Sequence, residues 1–246
     1  MSKIIGILPM AGKGSRLQPI GFSKELYPVI YKQKHFAISE FSVLAMSNAG
    51  ADEIKLVINP EKSDIARYYA QKDYKTCMYF YNSPSLPESC LFPIDRLHDD
   101  DICLFGLPDT LFSPLDGYEK IRIKIENGAD LCLGLFEVPD GSKYDSVLVD
   151  DENNVLSVSV KQVPPLSNFI WGIWGGKVKT LKELKKAINS QSTKGEKLLG
   201  VGFHKLAQSK KINFKAVQIG NTYFDIGTME AVVMANQVVK NFKINK

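Results

Sequence analysis

Apolar runs and stretches with helical apolar spacing alternate along the first hundred residues. Short runs rich in β-branched and other apolar residues predict strands at residues 3–8, 53–58, 77–81 and 102–107. Between them, helical apolar spacing and capping residues predict helices at residues 36–48, 63–70 and 87–97. Strands that alternate with helices in this way predict a mainly parallel sheet with helices on both faces.

The second half of the chain has a more mixed order of elements. Apolar runs predict strands at residues 131–138, 169–174 and 214–219, and a hairpin at 146–161 around the acidic turn 150–154. Helical spacing predicts helices at residues 177–189, 198–209 and 229–242. The sequence contains no internal repeat, low-complexity stretch or linker. We therefore expect one α/β domain with an α+β second lobe.

Composition excludes several classes of protein. The chain has 246 residues, 44% of them hydrophobic and 24% charged, which is typical of a globular protein and not of a disordered or fibrous one. The formal net charge of +4 is spread along the chain, so we expect no nucleic-acid partner. No window approaches the ~20 apolar residues of a membrane helix, and no signal peptide opens the chain, so we expect no membrane partner. Four scattered cysteines favour reduced thiols in a cytoplasmic protein.

The loop after the first strand has the composition of a phosphate-binding loop. Its glycines let backbone amides approach a phosphate chain, while Lys13 and Arg16 add positive charge. A Walker A loop is excluded because Gly6 and Gly12 enclose five residues, and the dinucleotide GxGxxG pattern is excluded because its third glycine is missing. The candidate nucleotide-binding residues of this loop are Ala11, Gly12, Lys13, Gly14, Ser15 and Arg16.

Two motifs in order carry a family resemblance. The stretch PMAGKGSRL at residues 9–17, followed by SKELYPV at 23–29, closely resembles the signature of the sugar-1-phosphate nucleotidylyltransferases. The resemblance implies a Rossmann-like nucleotidyltransferase fold, in which a mixed, mainly parallel sheet carries a small α+β sugar-binding lobe. It implies one catalytic domain over residues 1–246, with a nucleotide-binding half at about 1–115, a sugar-binding half at about 116–228 and a C-terminal helix at 229–246.

Nucleotidyl transfer requires positioning, positive charge and a metal ion, and no covalent nucleophile. Mg²⁺ needs only one or two carboxylates besides the substrate phosphates. Asp109 directly follows the fourth predicted strand, and Asp225 stands before the last predicted helix. The resemblance implies that both hold Mg²⁺, and that Arg16 and Lys24 act with Asp109 in catalysis.

Weaker matches extend the resemblance to the base and to the sugar. The register from Asp109 implies base contacts by Asn82 and Ser89. The remaining matches imply a sugar-phosphate site formed by Lys161, Trp171 and Gly172. Two positions depart from the family pattern. Val160 replaces a glutamate that holds sugar hydroxyls, and Leu86 stands where a base-contacting glycine is expected.

The resulting prediction is an enzyme with an NTP and a sugar 1-phosphate as its substrates. It would transfer a nucleotidyl group, with dTTP or UTP as the favoured donor, and release pyrophosphate and an NDP-sugar. Two alternatives stay open: a non-catalytic protein that binds nucleotides or sugar nucleotides, and a cytidylyltransferase that acts on a non-sugar phosphate. A homo-oligomer also stays open, because members of the family commonly form dimers and tetramers.

Overall fold

A computed structural model of the protein describes residues 2–12, 20–191, 196–227 and 229–242. Within these ranges the chain forms one large sheet and two small ones. In chain order, the strands are β1 (Ile4–Met10), β2 (Pro28–Tyr31), β3 (Lys34–Ala37), β4 (Glu53–Ile58), β5 (Thr76–Phe80), β6 (Ile102–Phe105), β7 (Thr110–Ser113), β8 (Leu131–Glu137), β9 (Asp145–Val149), β10 (Val155–Val160), β11 (Phe169–Lys177), β12 (Phe214–Gly220) and β13 (Thr222–Asp225).

The large sheet has nine strands in the described part of the chain. Strands β5, β4, β1 and β6 are parallel neighbours, β11 follows antiparallel to β6, and β8 and β12 complete this path. The β9–β10 hairpin joins beside β11. Only β10 and β11 run against the direction of the other strands, which confirms the predicted mixed, mainly parallel sheet.

Helices cover both faces of this sheet. They are α1 (Ile38–Asn48), α2 (Ser63–Tyr69), α3 (Leu86–Leu91), α4 (Gly117–Glu126), α5 (Val178–Asn189), α6 (Leu199–Ser209) and α7 (Met229–Val238). Alternation along β1 places Ile5 and Ile7 in a core with α3, α5 and α6, and Leu8 and Met10 in a second core with α1, α2 and α4. This two-sided burial explains why the strands appear in the sequence as continuous apolar runs.

A third apolar cluster lies beyond the edge of the large sheet. Strands β2 and β3 form a hairpin, β7 pairs with β13, and α7 packs against β2. The cluster that joins these elements contains Val29, Tyr31, Ile38, Phe41, Leu111, Ile226, Ala235, Val239 and Phe242. This packing fixes the segment that ends at Asp225. Among the described residues, no helix combines the length and the apolar character needed to cross a bilayer.

The predicted elements are present, with three differences. The helix predicted over 87–97 ends at Leu91, and a 3₁₀ turn at Pro93–Arg96 follows, because Pro93 lacks an amide hydrogen and clashes with the preceding turn. The helix predicted over 229–242 becomes 3₁₀ after Val238. Helix α4 and strands β2, β3, β7 and β13 were not predicted.

Candidate active site

A cavity of about 670 Å³ opens at the carboxyl ends of four parallel strands. Ala11 and Gly12 follow β1, Asn59 follows β4, Asn82 follows β5, and Asp109 lies beyond β6; all five residues line the cavity. Because parallel strands end at one edge of a sheet, residues far apart in sequence converge there. The fold therefore places the first two residues of the predicted phosphate loop, the candidate base contact Asn82 and the candidate metal ligand Asp109 around one space.

Pairing between two short strands brings the two candidate metal ligands together. Antiparallel β7 and β13 place Asp225 opposite Thr110, and the Ile226 amide donates a 2.8 Å hydrogen bond to the Asp109 carbonyl oxygen. The Thr110 hydroxyl fixes the turn before β7 by donating to the Leu107 carbonyl at 2.9 Å. Asp109 and Asp225 consequently line the same cavity although 116 positions separate them.

Lys24 completes this charged cluster. It begins a 3₁₀ turn at Lys24–Leu26, and its ammonium group forms an ion pair and hydrogen bond with Asp109 Oδ2. Burial alone lowers the pKa of Lys24, but attraction to Asp109, with smaller contributions from Glu25 and Asp225, raises it above its usual value. Lys24 thus stays positively charged at neutral pH beside the candidate metal ligands.

The donor set of this cluster fits Mg²⁺. Asp109 and Asp225 supply carboxylate oxygens, and the described residues contain no group of three or more histidine, cysteine, aspartate or glutamate side chains that could hold a metal by themselves. Magnesium is typically held by one or two carboxylates, with water and substrate phosphates completing its shell. A site with few protein ligands beside a cavity of this size therefore suits a metal that arrives with a nucleotide.

The far wall of the cavity carries an unpaired polar atom. Ser89 is 2% exposed and lines the cavity, and its Oγ atom has no hydrogen-bond partner among the described residues. Ser89 lies on α3, whose N-terminus is capped by the Ser85 hydroxyl. Asn82 and Leu86 line the same wall, so the structure brings together both predicted base contacts and the leucine that departs from the family pattern.

A buried ion pair lies next to the end of β1. Glu25 is 1% exposed; its Oε1 accepts from Lys62 Nζ at 2.7 Å, and Lys62 also donates to the Met10 carbonyl at 3.2 Å. Burial raises the pKa of Glu25, and the nearby Lys62 charge only partly offsets this. Asn59 reaches the Ala11 carbonyl at 3.5 Å. These residues thus tie the end of β1 to the neighbouring loops.

The predicted sugar-phosphate residues Lys161, Trp171 and Gly172 are not among the residues that line the cavity. Lys161 follows β10 with a left-handed φ of 45°, and its amide donates to the Tyr144 carbonyl at 3.2 Å. Gly172 is covered by an aromatic ring, since an added Cβ would lie 2.3 Å from Tyr223 Cε2. The Nε1 atom of Trp171 is buried without a hydrogen bond of normal geometry.

The profile of a known family matches nearly the whole chain. The family is described as nucleotidyl transferase, and the match spans residues 5–241. The chain belongs to the nucleotidyl transferase family. This nucleotidyl transferase is also 24% identical over 242 residues to the bifunctional protein GlmU of Methanocaldococcus jannaschii. That alignment covers 97% of this chain but only 55% of the relative, so the chain spans about half of the relative's length.

Solved structures share the fold of this nucleotidyl transferase. A candidate glucose-1-phosphate thymidylyltransferase from Bacillus anthracis, in complex with sucrose, superposes with a TM-score of 0.83 at 17% identity, covering 99% of this chain and 98% of the other. A UTP-bound UGPase from Acinetobacter baumannii gives 0.79 at 18% identity, with 97% and 93% covered. An apo UDP-glucose pyrophosphorylase gives 0.80 at 16% identity, with 97% and 98% covered.

The structure brings part of the predicted site together. Seven predicted residues line the cavity: Ala11, Gly12, Lys24, Asn82, Ser89, Asp109 and Asp225. Four others, Lys13, Gly14, Ser15 and Arg16, lie outside the described residues. The sequence analysis did not identify Asn59, Glu25 and Lys62 as site residues. A buried Glu–Lys pair leaves no spacing pattern.

Proposed function

We propose that the protein transfers a nucleotidyl group from dTTP or UTP to a sugar 1-phosphate, with release of pyrophosphate. The observation that carries this proposal is the convergence of Lys24, Asp109 and Asp225 on a cavity at the carboxyl edge of the sheet. The names of the structural relatives, a candidate thymidylyltransferase and a UTP-bound UGPase, support the choice of pyrimidine nucleotides. The four cysteines are free thiols, which supports a cytoplasmic enzyme.

In the proposed reaction, a phosphate oxygen of the sugar 1-phosphate attacks the α-phosphorus of the nucleotide. The bond from the α-phosphorus to the bridging oxygen breaks, and pyrophosphate leaves with the electron pair. Lys24 contributes a positive charge at the phosphates, and Lys13 and Arg16 are proposed to add two more. Asp109 and Asp225 would hold Mg²⁺, which when bound supplies positive charge that neutralises the phosphates.

We assign nucleotide recognition to the wall formed by Asn82 and Ser89. The Ser89 hydroxyl is a donor and acceptor with no partner in the part of the chain that the structure describes, and such buried groups are usually satisfied by water or by a ligand. Lys161, Trp171 and Gly172 are assigned to the acceptor side, Lys161 as a contact to the sugar phosphate. Residues up to about 115 would then bind the nucleotide, and residues 116–228 the acceptor.

The first experiment measures pyrophosphate release with Mg²⁺ over the common NTPs, paired with several sugar 1-phosphates and with phosphocholine. Release that requires one particular pair supports nucleotidyl transfer and identifies both substrates. CTP with phosphocholine as the only active pair would instead indicate a cytidylyltransferase for a non-sugar phosphate.

A pair of aspartate variants tests the proposed metal site. Asp109→Asn keeps the size of the side chain and removes its charge, so we expect loss of measurable turnover with the fold retained. Asp116→Asn is the matched control, because Asp116 pairs with Lys120 on the exposed surface of α4. Full activity of Asp109→Asn with Mg²⁺ as the only metal would refute the assignment.

A non-catalytic binding protein is the second candidate, and two side chains motivate it. Leu86 occupies the base wall of the cavity, and Val160 packs near Gly200 of α6 and carries no polar group toward an acceptor. In that case an NDP-sugar would raise the thermal midpoint of the protein, while no substrate pair would release pyrophosphate.

A further inference from the structure

Asp145 is a partly buried carboxylate that the proposed chemistry does not use. It begins β9 and pairs across the hairpin with Val160, so the two side chains project on the same face of the sheet. Among the described residues, no cation lies within ion-pair distance of its carboxylate, and the Trp171 indole N–H and the Lys161 charge are the groups that favour its ionised form. A partly buried carboxylate in such surroundings is costly to retain, and this suggests a role beyond packing.

Asp145 and its neighbours Trp171, Lys161 and Gly200 form a polar cluster, which we call the recess. The buried Trp171 indole N–H lies close enough to the carboxylate to stabilise its charged form. Burial raises the pKa of Asp145, while the Trp171 indole N–H and the Lys161 charge lower it. Helix α6 packs closely above, since a Cβ at Gly200 would lie 2.5 Å from Asp145 Oδ2. The recess therefore combines an acceptor, a donor and a cation.

The recess lies next to two segments that each carry one cavity residue, Asp225 on one and Glu196 on the other. On one side, the ring of Tyr144, the residue before Asp145, lies 6.4 Å from that of Tyr223, which precedes Asp225 by two positions on β13. On the other side, α6 follows the segment that contains Glu196, which also lines the cavity. These contacts place Asp145 between the segment that carries Asp225 and the start of α6.

We propose that the Asp145 carboxylate accepts hydrogen bonds from ring hydroxyls of the acceptor sugar and thereby selects a hydroxylated sugar 1-phosphate. A carboxylate can accept from two neighbouring hydroxyls at once, whereas Val160 across the hairpin can accept none. The Trp171 indole N–H orients the carboxylate, and Lys161 balances its charge next to the sugar phosphate. This inference rests on the proposed nucleotidyl transfer and adds a residue that determines its acceptor.

The test compares wild-type protein with Asp145→Asn, which keeps the shape of the side chain and removes its charge. The acceptors are the best sugar 1-phosphate from the pyrophosphate assay and its mono-deoxy analogues. In the wild type, we expect one or two adjacent hydroxyl deletions to raise the acceptor KM about 10-fold or more. In Asp145→Asn, the acceptor KM rises about 10- to 100-fold, those same deletions have little further effect, and the NTP KM stays within about 3-fold.

Two further variants separate a contact from a structural role. Glu152→Gln changes an exposed carboxylate at the tip of the same hairpin and should leave the acceptor KM unchanged. Trp171→Phe keeps a ring and removes the N–H, so it should raise the acceptor KM by a smaller factor, about 3- to 10-fold. The Trp171→Phe result also tests the recess if Asp145→Asn fails to fold. An unchanged acceptor KM in the folded variants, or an equal loss for every deoxy analogue, would overturn the proposal.

A binding measurement distinguishes this inference from the proposed function. If no pair releases pyrophosphate, calorimetry with glucose 1-phosphate replaces the kinetic assay. Binding that weakens in Asp145→Asn would support the recess and refute the transferase function. Turnover that is insensitive to Asp145 would refute the recess alone. Wild-type protein with neither turnover nor binding would refute both.

Discussion

Gly172 offers a direct way to displace a candidate metal ligand without altering it. The family resemblance implies that this glycine belongs to the sugar-phosphate site, and in the structure it packs against the Tyr223 ring. A methyl group at Gly172 would lie 2.3 Å from Tyr223 Cε2, 2.7 Å from its Cδ2 and 2.9 Å from Phe136 Cε2. We therefore predict that Gly172→Ala pushes β13 away from β11 and carries Asp225 with it.

The size of the effect follows from these contacts. Ordinary van der Waals separation begins near 3.4 Å, so the Tyr223 ring must move by about 1.1 Å. Overpacking of this kind typically costs about 1–3 kcal/mol, and each kcal/mol lowers the thermal midpoint of a chain of this length by roughly 2–4 °C. Because Asp225 lies two residues from Tyr223 on the same face of β13, a shift near 1 Å should lower kcat/KM about 100-fold.

The matched control is Gly175→Ala on the same strand. Its added methyl group would lie 2.8 Å from the Cys103 carbonyl oxygen and 2.9 Å from Ile121 Cγ2, so it also overpacks β11 but does not contact β13. Thermal midpoints and kcat/KM are measured for both variants. We expect similar losses of stability but a much larger loss of kcat/KM for Gly172→Ala. Equal kcat/KM values in two folded variants would refute the coupling through Tyr223.

Two further predictions concern buried polar groups, one pair next to the end of β1 and one hydroxyl in the wall formed by Asn82 and Ser89. Lys62→Met leaves Glu25 buried without its cation, which raises the pKa of Glu25 further. We expect the protein to lose about 3–5 kcal/mol of stability at pH 8, where Glu25 is ionised. The loss should shrink toward pH 5, because the folded protein then holds Glu25 in its neutral form. Urea denaturation at both pH values measures it, Glu25→Gln should recover part of it, and an equal loss at both pH values would contradict the mechanism. Ser89→Ala removes an unpaired buried hydroxyl, so the free protein should keep its thermal midpoint while the NTP KM rises about 5- to 10-fold. An unchanged KM would exclude Ser89 from nucleotide binding.

The central sheet could be predicted because its sequence signals are local. Strands such as β6 and β8 are buried on both faces and form apolar runs, while amphipathic spacing marks helices such as α5. Helix α4 escaped prediction because Glu, Lys and Arg interrupt its apolar positions, and only Ile121 and Ile125 reach the core from its later turns. Strands β7 and β13 have four residues each, too few for a clear alternation.

The candidate site also has residues that could be predicted from the sequence and contacts that could not. Asp109 could be predicted because it follows a strong strand, and Asp225 because it resembles a family motif. Their proximity depends on the β7–β13 pairing, which no local pattern encodes. Glu25 and Lys62 are 37 positions apart and act as a pair only because β1 and β4 are parallel neighbours. Long-range contacts of this kind leave no periodic signal in a single sequence.

The position of Asp225 therefore depends on packing outside the large sheet. At the end of β13, Asp225 faces the cavity, while Ile226 enters the third apolar cluster and is 1% exposed. Leu111 of β7 lies in the same cluster, together with Phe41 of α1 and Val239 next to α7. Burial of the Ile226 side chain, directly after a candidate metal ligand, holds Asp225 in position. The Asp225 carboxylate cannot shift unless Ile226 leaves its buried site, which costs free energy. The third apolar cluster thus stabilises the geometry of the candidate metal site, although none of its residues has a role in the proposed chemistry.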